Sequence, residues 1–217
     1  MIRSILLDFD YTLADSSKGI VHGVSYALTQ MGLSVPAPGI ITATIGHPLP
    51  DMYEILTGDS SSENRTVFTQ QFFDEQVRSM TGLTRLFDDA SDFLAKVKAL
   101  GLSMAIVSTK TSTPIHELLV QQELSDYFSS VVGYEHVKQH KPHPEGVHIA
   151  LDVLGVRPDE SILIGDSIFD AGAAKNAGTH FIAVTTGVTE ASAFDEYPKL
   201  AVVPSLSDAL AAVRLLS

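Results

Sequence analysis

The amino-acid sequence predicts an α/β fold, in which a doubly wound parallel sheet carries a helical insertion after its first strand. Short, continuous apolar runs alternate with segments of helical periodicity, which is typical of parallel strands joined by helices. The segment from residue 15 to about residue 85 breaks this alternation, because it contains no convincing strand. We therefore expect a core domain of residues 1–14 and 86–217, and an inserted helical domain of residues 15–85.

Six apolar runs predict the strands of the sheet. Each run is continuous rather than alternating, as expected of a strand that is covered on both faces, and the last is the shortest. The runs comprise residues 5–7, 104–107, 130–132, 162–164, 181–184 and 202–203. Binding sites of open parallel sheets lie beyond the carboxyl ends of the strands, so the residues that follow these runs are candidates for a functional site.

Apolar residues spaced by three and four positions predict the helices. In the core domain such stripes run through residues 90–97, 147–154 and 206–213. In the insertion, one stripe runs from Val21 to Met31. A second stripe in the insertion consists of Phe68, Phe72, Phe73, Val77 and Met80. Glycines stand where the C-caps of core helices are expected, at Gly101, Gly155 and Gly178.

The composition argues against several classes of protein. The chain has a formal net charge of −12 and no cluster of basic residues, which argues against nucleic-acid binding. It contains no cysteine, which excludes a disulfide framework and any cysteine nucleophile or metal site. The N-terminus lacks a signal-peptide pattern, and no apolar run is long enough to span a membrane. We expect a cytoplasmic monomer or homodimer without a membrane partner.

Acidic, hydroxyl and basic side chains follow the predicted strands. They are Asp8 and Asp10 after the first strand, Ser108, Thr109 and Lys110 after the second, Lys141 in the segment after the third, and Asp166 and Asp170 after the fourth. Converging carboxylates repel one another unless a cation lies among them, and an oxygen-only ligand set favours Mg²⁺. A site with Mg²⁺, a lysine and a hydroxyl donor suits a phosphoryl group.

These residues form four ordered segments that resemble the motifs of the haloacid dehalogenase superfamily. The segments are residues 8–13 (DFDYTL), 108–110 (STK), 141–142 (KP) and 165–170 (GDSIFD). The resemblance covers the whole chain, and the helical insertion looks like the cap domain of that family. The chain is similar to phosphoglycolate-phosphatase-like members, because residues 45–49 (IGHPL) resemble their substrate-facing cap loop.

The resemblance implies a catalytic role for four residues. Asp8 would be the nucleophile and form an aspartyl-phosphate, while Asp10 would act as general acid and then as general base. Ser108 would hold phosphoryl oxygens, and Lys141 would neutralise negative charge. A halide leaves without a proton whereas an alkoxide needs one, so Asp10 favours phosphate esters over carbon–halogen bonds as substrates.

The resemblance also implies the ligands of the metal and the substrate. Asp8, the backbone carbonyl of Asp10, and Asp166 would bind Mg²⁺, and Asp170 would do so directly or through water. Contacts to the substrate would come from Thr109 in the core and from Gly46 and His47 in the insertion.

Some of these residues have simpler interpretations. Ser108 and Thr109 could be the N-cap of the next helix, and Asp170 could cap the helix that follows it. Lys110 is expected to be solvated or structural rather than catalytic. Tyr11 replaces the glycine that the family usually has, so we expect an ordinary backbone conformation there and a bulky side chain near the site.

The sequence therefore predicts a Mg²⁺-dependent phosphatase that acts on a small phosphorylated metabolite. Two alternatives stay open. One is a phosphomutase of the β-phosphoglucomutase type, which would return the phosphoryl group to a sugar rather than to water. The other is a non-catalytic regulator that accepts a phosphoryl group on Asp8.

Overall fold

The computed structural model of the protein describes residues 1–76, 78 and 81–216. Its strands are β1 (Ser4–Leu7), β2 (Ala14–Asp15), β3 (Arg85–Leu86), β4 (Ser103–Val107), β5 (Ser130–Val132), β6 (Ser161–Gly165), β7 (His180–Val184) and β8 (Ala201–Val203). Its α-helices are α1 (Ser17–Gln30), α2 (Pro38–Thr42), α3 (Leu49–Thr57), α4 (Ser62–Glu75), α5 (Ala90–Ala99), α6 (Ser112–Gln121), α7 (Glu145–Leu154), α8 (Ile168–Ala177) and α9 (Leu206–Leu216). The chain divides into two compact units, Met1–Ala14 with Leu86–Ser217, and Asp15–Arg85.

The first unit is built on a parallel sheet with the strand order β5-β4-β1-β6-β7-β8, which confirms the predicted fold class. The central strand β1 pairs with β4 on one side and with β6 on the other. In this register Leu7 lies opposite Ile106 and Ile164. The carboxyl ends of the three central strands are thus level with one another, and the residues that follow them meet at one edge of the sheet.

The two faces of the sheet explain why the strands are continuously apolar. Ile5 and Leu7 of β1 pack into a core cluster with residues of α5, α6 and α9. Leu6 points to the opposite face and packs with residues of α7 and α8. Because helices cover both faces, every side chain of β1 is buried. Burial of one large aliphatic side chain contributes about 1.5–3 kcal/mol, so this double core fixes the register of β1 firmly.

The second unit consists of α1–α4. Phe68 and Phe72 of α4 are buried, and the ring of Phe68 lies 5.3 Å from the ring of Tyr53 on α3. These contacts explain the phenylalanine stripe, of which Val77 and Met80 lie outside the described residues. The sequence predicts no strand between residue 15 and residue 85, but the two-residue strands β2 and β3 begin and end this segment and pair with each other. A strand of two residues is too short to produce an apolar pattern.

Among the described residues, no helix is both long and apolar enough to cross a membrane.

Two helices of the first unit end at a glycine in the left-handed backbone conformation. Gly155 ends α7 and Gly178 ends α8 in this way, as the sequence predicts. The end of α6 is different, because Glu123 has a φ of 58° in the turn that follows it. There the amide of Leu124 donates to the carbonyl of Leu119 at 2.8 Å, which closes the helix end. A residue with a Cβ is strained in this conformation, whereas glycine adopts it freely.

Glu123→Gly should therefore raise the free energy of unfolding by about 1 kcal/mol. Denaturant titration of the wild type and the variant measures the change. Glu117→Gly is the matched control, because Glu117 is an exposed residue in the middle of the same helix. That control should lower stability by about 1 kcal/mol. Equal destabilisation by both glycines would contradict the strain at position 123.

Candidate active site

The nucleophile candidate, Asp8, directly follows the buried strand β1. Its amide donates to the carbonyl of Ile164 at 3.0 Å, so the pairing with β6 continues one residue beyond the strand. A tight turn follows, in which the carbonyl of Phe9 accepts from the amides of Leu13 and Ala14 at 2.9 and 3.0 Å. The Thr12 hydroxyl in this turn is buried and donates to Asp166 Oδ1 at 3.3 Å. Thr12 thereby links the turn after β1 to the end of β6.

Lys141 is buried between two carboxylates. Its Nζ lies 2.9 Å from Asp8 Oδ1 and donates a hydrogen bond of 2.6 Å to Asp170 Oδ1. It also donates to the carbonyl of Val107 at 3.2 Å. Burial acts to lower the pKa of Lys141, but the carboxylates of Asp170 and Asp8 outweigh this effect and raise the pKa above its ordinary value. Lys141 therefore remains a cation inside the protein.

The positive charge of Lys141 does not compensate the negative charge of all the carboxylates at this site. Burial raises the pKa of Asp8 to about 7, although Lys141 acts to lower it. Burial also raises the pKa of Asp166, and the negative charges of Asp170 and Asp8 add to this effect. Ligand oxygens of Asp8, Asp166 and Asp170 lie within 4.8 Å of one another. A hard divalent cation would neutralise this group, and carboxylate oxygens are the ligands that such a cation prefers.

The buried Oδ1 of Asp8 supports this fit. It makes an ion pair with Lys141 but accepts no hydrogen bond of normal geometry, so it has coordination capacity left over. Its neighbour Asp170 differs, because Lys141 contacts its Oδ1 while the amide and hydroxyl of Ser167 donate to its Oδ2 at 3.1 and 2.5 Å. The oxygens of Asp170 thus already have hydrogen-bond partners, whereas Asp8 Oδ1 can still coordinate a cation.

The helix α8 begins with a cap that differs from one interpretation of the sequence. The sequence suggests Asp170 as a possible N-cap, but Ser167 is the N-cap and Asp170 lies in the first turn. The two side chains and amides satisfy each other reciprocally as a capping box. Asp170 is completely buried and is fixed by these bonds and by Lys141.

Two glycines leave the space that the acidic side chains occupy. A Cβ on Gly165 would overlap the side chain of Asp170, and a Cβ on Gly187 would overlap the carboxylate of Asp166. Gly187 follows β7, and nothing in the sequence around it indicates this contact. Its role becomes visible only when the strands are assembled.

The segment after β4 holds the hydroxyl and cation candidates. Ser108 is buried, its amide continues the pairing with β5 by donating to Val132, and Thr109 is half-buried. Neither is the N-cap of α6, which is Thr111. The sequence predicts that Lys110 is solvated or structural. The side chain is buried, which excludes the solvated interpretation, and its Nζ donates to Asp10 Oδ1 at 3.1 Å. In the sequence, only the position of Lys110 two residues after Ser108 indicates that it lies near the site.

The start of α6 is held by Glu135, a residue that the sequence does not single out. Its Oε1 accepts from the amide of Ser112 at 2.9 Å and from the hydroxyl of the same residue at 2.5 Å. These hydrogen bonds lower the pKa of Glu135 even though burial acts to raise it. Glu135 therefore fixes the end of the segment that carries Ser108 and Lys110.

Gly46 and His47, the predicted substrate contacts of the insertion, lie in the second unit, in the turn between α2 and α3. Gly46 has a φ of 104°. His47 is half-buried, its amide donates to the carbonyl of Thr44, and burial lowers its pKa although Asp51 acts to raise it. A neutral imidazole in such a turn can both donate and accept a hydrogen bond.

Tyr11 has an unexpected backbone conformation. The sequence predicts an ordinary conformation for this residue, and this prediction is wrong, because its φ is 60°. The turn demands the left-handed conformation, and the tyrosine adopts it where a glycine would do so without strain. Hydrogen bonds hold it there: its amide donates to the carbonyl of Ala14, and Thr186 donates its hydroxyl to the Tyr11 carbonyl.

Comparison with known proteins places this geometry in a family. The profile of a family described as haloacid dehalogenase-like hydrolase matches residues 5–184. The phosphoglycolate phosphatase of Photorhabdus laumondii is 30% identical over 99% of this chain and 93% of its own length. The protein of that name from Escherichia coli is 29% identical over the same shares of the two chains. A structure from Bacteroides fragilis, titled as a haloacid dehalogenase-like hydrolase, is 37% identical with a TM-score of 0.93, and the match covers 96% of this chain and 100% of that one.

The raised pKa of Asp166 predicts how the metal-free protein responds to pH. A carboxyl whose pKa is raised on folding binds a proton more readily in the folded state, so stability falls as the pH rises through the window above the ordinary value of 3.8. With EDTA present, Asp166→Asn should be more stable than the wild type at about pH 8, and its melting temperature should fall less between about pH 5 and 8. Thermal melts at both pH values measure this.

Asp152→Asn is the control, because Asp152 is exposed on α7. This variant should follow the wild type at both pH values. An Asp166→Asn variant that loses stability at both would show that the carboxylate is a net stabilising group.

Proposed function

Because this chain belongs to the haloacid dehalogenase-like hydrolase family, we propose that it is a phosphatase that hydrolyses a small phosphate monoester. The observation that carries the proposal is the pair of carboxylates at the end of β1. Asp8 faces Lys141 and the acidic cluster, while Asp10 is paired with Lys110. Two carboxylates in different surroundings can divide the work of nucleophile and proton carrier. Relatives named phosphoglycolate phosphatase support a phosphate ester as the substrate.

In the first step, a carboxylate oxygen of Asp8 attacks phosphorus and the bond from phosphorus to the ester oxygen breaks. Asp10 gives its proton to the departing oxygen, which leaves as an alcohol. The phosphoryl group is then bonded to Asp8 as an acyl phosphate. Lys141 neutralises charge on Asp8 and on the phosphoryl oxygens, and the Ser108 hydroxyl donates to one of those oxygens.

In the second step, Asp10 acts as a base. Its carboxylate takes a proton from a water molecule, whose oxygen attacks the phosphorus of the acyl phosphate. The bond between phosphorus and the Asp8 oxygen breaks, which releases inorganic phosphate and restores the Asp8 carboxylate. Asp10 is again protonated and ready for the next ester. Division of the hydrolysis into two displacements lowers the barrier of each.

We propose that Asp8, the backbone carbonyl of Asp10, and Asp166 hold a Mg²⁺ ion. The oxygen-only donor set and the available Asp8 Oδ1 support this assignment. When bound, the ion supplies positive charge that favours an ionised Asp8 and offsets the charge of the phosphoryl group. Both oxygens of Asp170 already accept hydrogen bonds, so we propose that Asp170 coordinates the ion less strongly than Asp8 and Asp166 do. Its main role is to hold Lys141 in position.

The second unit, Asp15–Arg85, is proposed to act as the cap domain of the family. In this role its turn with Gly46 and His47 would contact the substrate, as the resemblance implies. A cap excludes water from the acyl phosphate until the alcohol has left. Its residues would then select among phosphate esters, while the first unit performs the chemistry.

Release of inorganic phosphate tests the proposal. The wild type should release phosphate from phosphoglycolate, benzyl phosphate or a sugar phosphate in the presence of Mg²⁺, and EDTA should abolish the release. Asp8→Asn should lower kcat by about a thousandfold or more, because no nucleophile remains. Asp152→Asn is the matched control and should retain full activity.

Three results would contradict the proposal in different ways. Substantial activity of Asp8→Asn would remove the nucleophile assignment. Turnover of a sugar phosphate without phosphate release would identify a phosphomutase. A stable acyl phosphate without turnover would identify the phospho-accepting regulator.

Gly187→Ala tests the metal assignment without removal of a ligand. The added methyl group would collide with the carboxylate of Asp166 and displace it. We expect Mg²⁺ affinity to fall about tenfold or more, measured by calorimetry or by the Mg²⁺-dependent shift in melting temperature. Gly39→Ala is the control, because no atom lies within 4 Å of a Cβ built there. Unchanged Mg²⁺ affinity in Gly187→Ala would place the ion away from Asp166.

A further inference from the structure

We propose that Lys110 is a positioning residue that holds the carboxylate of Asp10 in place for proton transfer to the leaving group. The inference rests on the proposed phosphatase function, because that function assigns the proton to Asp10. It begins with the contact between the two side chains, in which Lys110 Nζ donates to Asp10 Oδ1 at 3.1 Å. This contact joins the segment after β1 to the segment after β4.

The ion pair between Lys110 and Asp10 is largely shielded from solvent. The side chain of Lys110 is 5% exposed and that of Asp10 is 14% exposed. An ammonium group that has lost its water is costly to bury unless an opposite charge lies beside it, so the contact with Asp10 determines where Lys110 Nζ lies. Salt screens such a pair much less than an exposed one. The two side chains therefore restrain each other.

The backbone of Lys110 is fixed as well. Its amide donates to the hydroxyl oxygen of Ser108 at 3.2 Å, and its carbonyl accepts from the amide of Tyr134 at 2.9 Å. The chain at Gly133 lies against the same carbonyl, since a Cβ built on this glycine would be 2.8 Å from it. A lysine side chain is flexible in water, but a fixed backbone and a buried Nζ leave it few rotamers. The ammonium group is therefore a firm point of attachment for the Asp10 carboxylate.

Proton transfer in the first displacement needs a carboxylate that stays in place. A general acid must come within about 2.6–3.2 Å of the oxygen that takes its proton, and a displacement of about 1 Å can lower the rate about a hundredfold. The carboxylate of Asp10 can rotate about its last single bond, and Lys110 opposes this rotation by holding Oδ1. The amide of Lys110 also contacts Ser108, whose hydroxyl is assigned to a phosphoryl oxygen. Lys110 thus connects the group that holds the phosphoryl group with the group that protonates the ester oxygen.

Lys110 acts on a different carboxylate from the other buried lysine of the site. Lys141 contacts Asp8 and Asp170, whereas Lys110 contacts Asp10. These ion pairs have no residue in common. Loss of the Lys110 charge should therefore disturb proton transfer and leave the nucleophile with its own partner.

Two substrates of similar size separate proton transfer from the rest of the reaction. Benzyl phosphate releases an alkoxide, which needs the proton of Asp10, whereas p-nitrophenyl phosphate releases a stable phenolate, which departs without one. The readout is the ratio of kcat/KM for benzyl phosphate to kcat/KM for p-nitrophenyl phosphate. Because kcat/KM contains only the steps up to the departure of the leaving group, the later action of Asp10 as a base does not enter this ratio.

Lys110→Met removes the charge and keeps a side chain of similar length. We expect it to lower the ratio about tenfold or more, while kcat/KM for p-nitrophenyl phosphate stays within about threefold of the wild type. Lys110→Gln is a second uncharged variant and should lower the ratio as well, so the test does not depend on the folding of one protein. Lys175→Met is the matched control, because Lys175 is exposed on α8, and it should leave the ratio unchanged.

A third variant tests whether Lys110 acts through Asp10. Asp10→Asn should lower the ratio at least as much as Lys110→Met does, because it removes the acid itself. In the double variant of Asp10→Asn and Lys110→Met, the ratio should fall no further than in Asp10→Asn alone.

Equal losses of kcat/KM for the two substrates in Lys110→Met and Lys110→Gln would overturn the inference, because Lys110 would then act on the phosphoryl group or on the fold. A further fall of the ratio in the double variant would also overturn it, since Lys110 would then act independently of Asp10. Absence of phosphate release by the wild type from every ester would instead overturn the proposed function, and the inference with it.

Discussion

Much of this structure depends on one buried lysine. Lys141 stands between Asp8 and Asp170, so its positive charge compensates two buried carboxylates. Removal of a charge from water is costly, and a buried ion pair is tolerated only when hydrogen bonds satisfy the groups around it. Here Ser167 and the carbonyl of Val107 provide those bonds. The charged site can therefore lie directly after the buried strand β1.

The compensation is incomplete, and this is what gives the site its chemistry. Burial raises the pKa values of Asp8 and Asp166, and the other carboxylates that converge there add to this effect. This cluster of buried carboxylates lowers the stability of the fold, but it can attract a metal ion and a phosphoryl group. Gly165 and Gly187 reinforce the arrangement, since the space they leave is occupied by the carboxylates of Asp170 and Asp166. The acidic side chains can lie close together because these two glycines have no side chains that would occupy the same space.

The parts of the fold with a strong local pattern could be predicted from the sequence. Continuous apolar runs gave the strands of the large sheet, because helices cover both of its faces and leave no polar positions. The candidate residues at the carboxyl ends of β1, β4 and β6 followed from the topology alone. The strands β2 and β3 escaped prediction, because two residues are too few to display a period.

Features that depend on distant pairings could not be predicted. Lys110 lies beside Asp10 only because β4 pairs with β1, and a lysine by itself suggests a solvated side chain. Gly187 and Glu135 act on segments that are far away in sequence. The prediction for Tyr11 is wrong for the opposite reason, since the residue type favours an ordinary backbone conformation but the turn does not. The local preference of a residue type does not predict its structure where a tertiary contact fixes its backbone conformation or pairs its charge.

The place of β1 in the sheet bears on how the chain reaches this state. β1 is the central strand, yet its partners β4 and β6 follow only after the whole of Asp15–Arg85. During synthesis from the N-terminus, the largely apolar strand β1 therefore remains unpaired while the inserted segment emerges and forms its helices. Long-range parallel pairing of this kind makes folding slow and leaves apolar edges open to aggregation. The short strands β2 and β3, which join the ends of the insertion, shorten the effective loop that must close before β1 and β4 can meet.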